Sequence, residues 1–344
     1  MLENMIDKPI DKKIDIAVIG ATGLVGAAVL DHLAESDISV GRIFALASGN
    51  AETTSVSFGH RHLTVQALSD FDFKQVQLCF FCVPAAITDE YIGQATSAGC
   101  YCIDFSTRSR LQEGVPLIVH GVNDDDLEKL DGKIVASPDS SIVHLAQIMA
   151  PLKRLGVIER VNATLLRAVS EVGRKGVDEL SQQSIALFNL RPIKNECFAT
   201  QIAFNALPHT CHADETDPLV SSLQDELAKV LHDEALLLNV SLTQVSVFYG
   251  HSMTLQLEFG QAVALSEVKS AFGSAAQIHD IDQKANRPDS ISDAVNQEGV
   301  FVGCVRQDPT WQDGINLWAV GDNIHQGAAI NGVQTAQILV KSYL

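Results

Sequence analysis

A glycine-rich turn between a strand and a helix constrains this chain more than any other feature. Residues 13–19 form a short β-rich run, and GATGLVG at residues 20–26 leads into a segment where Val25, Val29 and Leu33 recur at helical spacing. Glycines at such a turn let backbone N–H groups approach a pyrophosphate at the positive end of the helix. Because strand, turn and helix follow in that order, the sequence predicts a dinucleotide-binding domain.

Strand and helix patterns continue to alternate through the first part of the chain. The predicted strands cover residues 42–47, 77–83, 101–105, 117–119 and 133–136, and a helix is predicted over 87–98. This alternation predicts a Rossmann-like, doubly wound and mostly parallel α/β sheet. We expect the first domain to cover residues 1–139 and to be completed by a C-terminal helix over 325–344.

The rhythm changes after residue 140. The sequence predicts helices over 141–155, 176–188 and 219–238 and strands over 160–169, 241–248, 252–259, 300–305 and 316–320. We expect residues 140–324 to form an α+β domain with a large mixed or antiparallel sheet.

Composition limits the partners. The chain has 344 residues, 46% of them hydrophobic, and a formal net charge of −18, which would repel nucleic acid. No stretch approaches the ~18 apolar residues of a membrane span, and seven cysteines do not suggest a secreted disulfide framework. We therefore expect a cytoplasmic protein with no nucleic-acid or membrane partner.

One segment offers weak support for a metal site. His209, Cys211, His212 and Asp214 offer ligand atoms, but their spacing matches no closed zinc site. A polar loop is the better interpretation, and no metal is predicted.

The choice of dinucleotide depends on the end of the second strand. An NAD site usually carries an acid there, whereas an NADP site uses arginine and hydroxyl groups. Here the strand ends in Ala47, Ser48, Gly49 and Asn50, which provide neither an acid nor an arginine. The strand end itself therefore leaves NADP, NAD or no cofactor open. The predicted contacts are Ser48 and the seven residues of the glycine turn, Gly20, Ala21, Thr22, Gly23, Leu24, Val25 and Gly26.

A second informative segment is SPDSSIVH at residues 137–144. Asp139 and Ser140 are good helix caps, and Ile142, Leu145 and Leu152 supply an apolar face for the helix that follows. The sequence predicts a helix N-terminus here.

Several segments together resemble the aspartate-semialdehyde dehydrogenase family over almost the full length of the chain. They are GATGLVG at 20–26, VPLIVHGVN at 115–123, SPDSSIVH at 137–144, AFNALP at 203–208, YGHS at 249–252, FVGCVRQD at 301–308 and DNIHQGAAINGVQ at 322–334. The pattern most resembles the Usg-type branch of that family. The resemblance implies an NADP-binding domain, with Asn323 added to the cofactor contacts, and a catalytic and dimerisation domain over residues 140–324. It also implies a homodimer and a parent reaction in which an aspartyl phosphate is reduced through a covalent thioester.

The resemblance also identifies the site positions, and several of them carry unexpected residues. The family's nucleophilic cysteine matches Ser140, its glutamine matches Arg167, and its acid/base histidine matches His251. A serine hydroxyl ionises far above neutrality and cannot act without a well-placed base. Asp139, immediately before it, would repel an anionic substrate.

The substrate-binding cations are altered as well. One family arginine matches Arg110, with Arg108 as a rival in the alignment, whereas the second matches Gln244 and a family lysine has no match within residues 218–226. Each lost cation removes charge-assisted hydrogen bonds of ~1.5–3 kcal/mol. Glu171 and Val172 replace small residues beside the site.

These changes lead to one main expectation and two alternatives. We expect a diverged, dinucleotide-binding homodimer without the parent dehydrogenase activity, on the oxidoreductase fold of an amino-acid biosynthesis family. The first alternative is an active NADP-dependent oxidoreductase that acts on a different aldehyde or alcohol without a thioester. The second is an acyl-transfer or hydrolytic site in which His251 activates Ser140.

Overall fold

A computed structural model describes residues 13–48, 54–209, 218–280 and 287–344. The described chain forms two compact units: the first holds residues up to 118, 125–137 and 332–344, and the second holds 119–124 and 138–331. The chain therefore passes between the units after residues 118, 124, 137 and 331, whereas the sequence placed boundaries only after 139 and 324. Residues 325–331 group with the second unit because the π-helical turn His325–Ile330 lies against the start of a second-unit helix: a Cβ on Gly327 would lie 2.7 Å from the Cβ of Ser140.

The first unit contains nine strands or α-helices from the N-terminal part of the described chain and one α-helix from its C-terminal end. Its elements are β1 (Ile14–Ile19), α1 (Leu24–Glu35), β2 (Val40–Ala47), β3 (Ser55–Phe58), β4 (Arg61–Ala67), β5 (Leu78–Phe81), α2 (Ala85–Ser97), β6 (Tyr101–Asp104), β7 (Ile134–Ala136) and, from the C-terminal end of the chain, the helix Asn331–Tyr343. That helix belongs to the first unit from Gly332 onward.

The described strands of the first unit form a seven-stranded sheet in the order β3-β4-β2-β1-β5-β6-β7. The pairs are parallel except β3 with β4, so the doubly wound prediction is confirmed. The polar pair β3 and β4 was not predicted. The strand predicted over 117–119 is wrong: Leu117 makes only an isolated parallel bridge to Ala136.

The second unit is α+β. Its elements are α3 (Ser140–Leu152), β8 (Ile158–Arg167), α4 (Arg174–Phe188), β9 (Ala206–Pro208), α5 (Pro218–Leu231), β10 (Leu237–Val245), β11 (His251–Phe259), α6 (Leu265–Gly273), β12 (Ile278–Asp280), β13 (Val300–Gln307) and β14 (Gly314–Gly321), so that the C-terminal helix is α7.

Its described strands form a mixed sheet in the order β12-β13-β14-β11-β8-β10-β9. Strand β8 pairs antiparallel with β11 and parallel with β10, which places Ser252 beside Leu166 and Gln244 beside Arg167. The predicted helix over 219–238 is wrong at its end. The helix stops at Leu231, His232 has a φ of 50°, and the apolar residues from Leu237 onward form β10 instead.

Helix α3 is buried on all sides in its first ten residues. Residues Ser140 to Met149 are all buried, including Ser141, His144 and Gln147. The sequence predicted one apolar face, but the helix is enclosed. Its first turn is therefore a fixed platform for the side chains around Ser140.

Candidate functional site in the two units

The glycine turn joins β1 to α1. In the sheet, β1 lies between β2 and β5, which is where the order of the strands reverses direction. Gly20 has a φ of +84°, and a Cβ there would lie 2.3 Å from the carbonyl oxygen of Cys82. A Cβ on Gly26 would lie 2.2 Å from the carbonyl oxygen of Gly20. These two glycines therefore allow the tight turn and the close approach of helix to strand.

The residues at the turn fit a pyrophosphate. Gly23 caps α1 without any side-chain hydrogen bond, and the first turn of that helix contains no acidic residue. A Cβ on Gly23 would meet only the Gly20 carbonyl oxygen, at 3.2 Å. The positive end of α1 is thus open to a phosphate group from outside the chain.

The other predicted cofactor contacts lie in different places. Ser48 is exposed directly after β2, while Asn50 lies outside the described residues. Asn323 lies in the second unit and is buried; its Oδ1 accepts a hydrogen bond from the N–H of Gly250 at 3.1 Å, and its Nδ2 donates to the hydroxyl of Ser170 at 3.0 Å. Asn323 thus braces the turn that leads into His251.

In the second unit, Asp139 caps α3, as predicted. Its Oδ1 accepts a hydrogen bond from the N–H of Ser141 at 2.9 Å, and its own N–H donates to Oε2 of Glu226 at 2.8 Å. Ser140 is the first helical residue rather than part of the cap. The N-terminus of α3 is therefore occupied by a carboxylate of the chain itself.

Arg167, at the end of β8, holds two carboxylates. Its Nη2 lies 3.0 Å from Oδ2 of Asp139 and also pairs with Oε1 of Glu171. The Arg167 side chain is only 7% exposed. Burial works against its charge, but the carboxylates of Asp139 and Glu171 outweigh burial and raise the pKa of the guanidinium.

His251, at the start of β11, has both ring nitrogens engaged. The N–H of Ala168 donates to Nδ1 at 3.2 Å, and Nε2 lies 2.9 Å from Oε2 of Glu171. Since Nδ1 is the acceptor, the proton of the neutral ring lies on Nε2 and points at Glu171. The ring offers no free lone pair to Ser140.

Glu171 lies at the centre of these contacts. It accepts hydrogen bonds from Arg167, from His251 and, at 3.4 Å, from the hydroxyl of Ser140. Burial opposes its ionisation, but the Arg167 guanidinium and the His251 hydrogen bond prevail and lower the pKa of the carboxyl below its usual value.

This arrangement is poorly suited to nucleophilic catalysis. The Ser140 hydroxyl points at a carboxylate whose lowered pKa makes it a weak base. An alkoxide on Ser140 would lie between Asp139 and Glu171. A Ser140–His251 dyad does not form in this structure because Glu171 accepts the hydrogen bonds of both.

The structure also describes three further positions that were singled out in the sequence. Gln244, on β10, donates from Nε2 to the carbonyl oxygen of Arg167 at 2.7 Å and so lies next to the site. Arg110 lies in the first unit, where Nη2 donates to the carbonyl oxygen of Phe105 at 2.9 Å. Arg108, in the same unit, pairs with Asp89. Of the candidate zinc ligands, Cys211, His212 and Asp214 lie outside the described residues.

Sequence reasoning missed two participants. Glu226 is fully buried on α5 and reaches the backbone of Asp139 across 87 positions of the chain. Ala168 acts through its backbone N–H, which fixes the tautomer of His251. A charged residue on the apolar side of a predicted helix was the only signal for Glu226, and no side-chain pattern could indicate Ala168.

Family comparisons agree with the two units. Residues 15–130 match the semialdehyde dehydrogenase NAD-binding domain, and residues 149–326 match the semialdehyde dehydrogenase dimerisation domain. The first match identifies the glycine turn as part of a nicotinamide-dinucleotide-binding domain. No helix among the described residues is both long and apolar enough to cross a membrane.

Individual relatives extend over almost the whole chain. A USG-1 protein homolog from Azotobacter vinelandii is 39% identical over 331 residues, which cover 95% of this chain and 98% of the relative. An aspartate-semialdehyde dehydrogenase from Rickettsia bellii is 35% identical, with 97% and 99% covered.

Solved structures give the same result. Aspartate semialdehyde dehydrogenase II from Vibrio cholerae, complexed with ASA, superposes with a TM-score of 0.93 at 31% identity and covers 97% of this chain and 100% of that one. The chain therefore belongs to the semialdehyde dehydrogenase family, among the aspartate-semialdehyde dehydrogenases and their USG-1 relatives.

Proposed function

We propose that this chain is a dinucleotide-binding homodimer that does not carry out the thioester chemistry of its family. The main observation behind the proposal is that the Glu171 carboxylate is bound by Arg167, His251 and Ser140. The groups at the nucleophile and acid/base positions are hydrogen-bonded to a carboxylate of the chain, so an acyl phosphate would have to displace it.

Charge supports the same proposal. The carboxylates of Asp139 and Glu171 both pair with the Arg167 guanidinium, and the carboxylate of Glu226 accepts the N–H of Asp139. An aspartyl phosphate is strongly anionic and would meet net repulsion there. A serine in place of a thiol also gives an ester, which accepts hydride less readily than a thioester.

The dinucleotide part of the proposal rests on the uncapped N-terminus of α1. We expect NADP(H) to be preferred over NAD(H), because Ser48 offers a hydroxyl and no carboxylate where NAD sites carry an acid. When bound, the nicotinamide would supply hydride chemistry. The residues of this chain hold the pyrophosphate through the first turn of α1.

Equilibrium titration followed by nucleotide fluorescence tests this part. The wild-type chain should bind NADPH saturably and NADH more weakly. Gly23→Asp should weaken NADPH binding at least tenfold, because it places a carboxylate at the anion site while its φ of −75° tolerates a side chain. This variant should lose little stability, because its Cβ requires the Gly20 carbonyl oxygen, 3.2 Å away, to shift by only a few tenths of an ångström. Failure of wild type to bind either nucleotide would refute the dinucleotide proposal.

The homodimer is proposed from the dimerisation domain together with an apolar surface on it. Phe188, Leu190 and Phe204 are 79%, 95% and 65% exposed, and the rings of Phe188 and Phe204 pack edge to face with centroids 5.5 Å apart. Surfaces of this kind mark protein contacts. Light scattering on the eluting protein should give twice the mass of one chain.

A further inference from the structure

The donors around Glu171 form a site that is built independently of Glu171. Arg167 and His251 lie at the ends of the paired strands β8 and β11, and their side chains are 7% and 2% exposed. Ser140 is held in the first turn of the enclosed helix α3 and is 9% exposed. All three donors are fixed by regular structure.

The acceptor is attached differently. Glu171 lies in the short 3₁₀ turn Val169–Val172, its side chain is 28% exposed, and Val172 beside it is 49% exposed. Gly173 follows with a φ of +78°, and a Cβ added there would meet nothing within 4 Å. Buried donors thus face a carboxylate that comes from a surface turn.

We propose that Arg167, His251 and Ser140 form a binding site for a small monocarboxylate, and that Glu171 is its tethered occupant. The guanidinium faces one carboxylate oxygen, while the His251 Nε2–H and the Ser140 hydroxyl face the other. A free carboxylate placed on these donors would make the same three contacts.

Charge restricts the ligand to a monoanion. Asp139 already takes one side of Arg167 at 3.0 Å, and Glu226 lies behind Asp139. Exchanging the Glu171 carboxylate for formate or acetate leaves the local charge unchanged, whereas a phosphate dianion adds one negative charge beside two others. This inference rests on the proposed loss of the family's acyl-phosphate site, because it assigns that place to a smaller, singly charged group.

Chemical rescue tests the inference. Glu171→Ala removes the tethered carboxylate and leaves the three donors in place. Its thermal unfolding temperature should be below that of wild type, and sodium formate or acetate should raise it saturably by several degrees. Sodium chloride at the same ionic strength should have no such effect, and phosphate should have less.

A control variant and a spectroscopic measurement test whether the stabilisation by formate arises at the Glu171 position. Glu234→Ala removes an exposed carboxylate elsewhere in the second unit and should show no response to formate. In Glu171→Ala, formate should restore the nitrogen-15 signal of the His251 Nε2–H towards its wild-type position. Glu171→Ser serves the same purpose if the alanine variant does not fold.

Two outcomes would overturn the inference. One is a formate-induced rise in unfolding temperature that is no larger in Glu171→Ala than in wild type and Glu234→Ala. The other is rescue by phosphate as strong as that by formate. NADPH titration of the same samples separates the two proposals, since nucleotide binding to wild type depends on the first unit and formate rescue on the second.

Discussion

At the scale of single residues, Arg167 holds the candidate site together. Its buried guanidinium pairs with both Asp139 and Glu171. Breaking a buried ion pair by removing one partner leaves uncompensated charge, which costs more than the pair itself contributes. The site therefore depends on Arg167 for stability as well as for charge.

We expect Arg167→Gln to lower the free energy of unfolding by about 3–5 kcal/mol, measured by urea denaturation at neutral pH. Arg42→Gln is the control, because Arg42 pairs with Asp15 while 59% exposed and should lose no more than about 1 kcal/mol. The deficit of Arg167→Gln should shrink as the pH falls, since protonation neutralises the abandoned carboxylates. Equal losses in the two variants would contradict the role given to Arg167.

His144 predicts how stability depends on pH. Burial, reinforced by the nearby His251, lowers its pKa from 6.5 to about 4. The unfolded chain therefore takes up a proton near pH 6.5 and the folded chain only near pH 4, so stability is complete above pH 6.5 and is lost as the pH falls through that window.

We expect protonation of His144 in the unfolded chain to lower the free energy of unfolding by about 2 kcal/mol as the pH falls from 7 to 5. His144→Gln should show a correspondingly flatter dependence in urea titrations over the same range. Wild type and variant with parallel pH profiles would show that His144 does not titrate in this way.

At the scale of elements, the turn between β1 and α1 is the most demanding local structure. Gly20→Ala should lower the free energy of unfolding by about 2 kcal/mol or more, because alanine would have to adopt the φ of +84° at this position and its Cβ would lie 2.3 Å from the Cys82 carbonyl oxygen. It should also weaken NADPH binding.

Gly93→Ala provides the matched control. Gly93 lies within α2, and a Cβ there would meet nothing within 4 Å. This variant should be more stable than wild type by about 0.4–1 kcal/mol. Thermal unfolding measures both variants, and a Gly20→Ala protein as stable as Gly93→Ala would contradict this account of the turn.

The elements also show what the sequence could predict. Strand β1, the glycine turn and α1 were predictable because motif, periodicity and order agree. The end of α5 and the start of β10 were not predictable, because the apolar run from Leu236 to Leu238 suits either a helix or a strand, and only a short turn separates α5 from β10.

The candidate site could also be predicted from the sequence only in part. The sequence singled out Asp139, Ser140, Arg167, Glu171 and His251 one by one. It could not predict that Arg167 joins Asp139 to Glu171, because that contact spans 28 positions and depends on how β8 lies against α3. The tautomer of His251 depends on a backbone N–H, which no side-chain pattern reveals.

At the scale of the whole molecule, the apolar surface around Phe188 predicts how the proposed homodimer responds to substitution. Phe188→Ser should raise the dissociation constant of the homodimer at least tenfold, since a contact centred on exposed aromatic rings loses its main anchor. Sedimentation over a concentration series measures it. A dimer as tight as wild type would place the interface elsewhere on the dimerisation domain.

The whole molecule thus combines an open dinucleotide turn with a second unit whose site is closed by its own carboxylate. NADPH fluorescence followed before and after addition of aspartyl phosphate tests both halves most directly. We expect the protein to bind NADPH saturably and the bound signal to stay constant after the acyl phosphate is added. Oxidation of NADPH at a rate proportional to protein concentration would contradict the account.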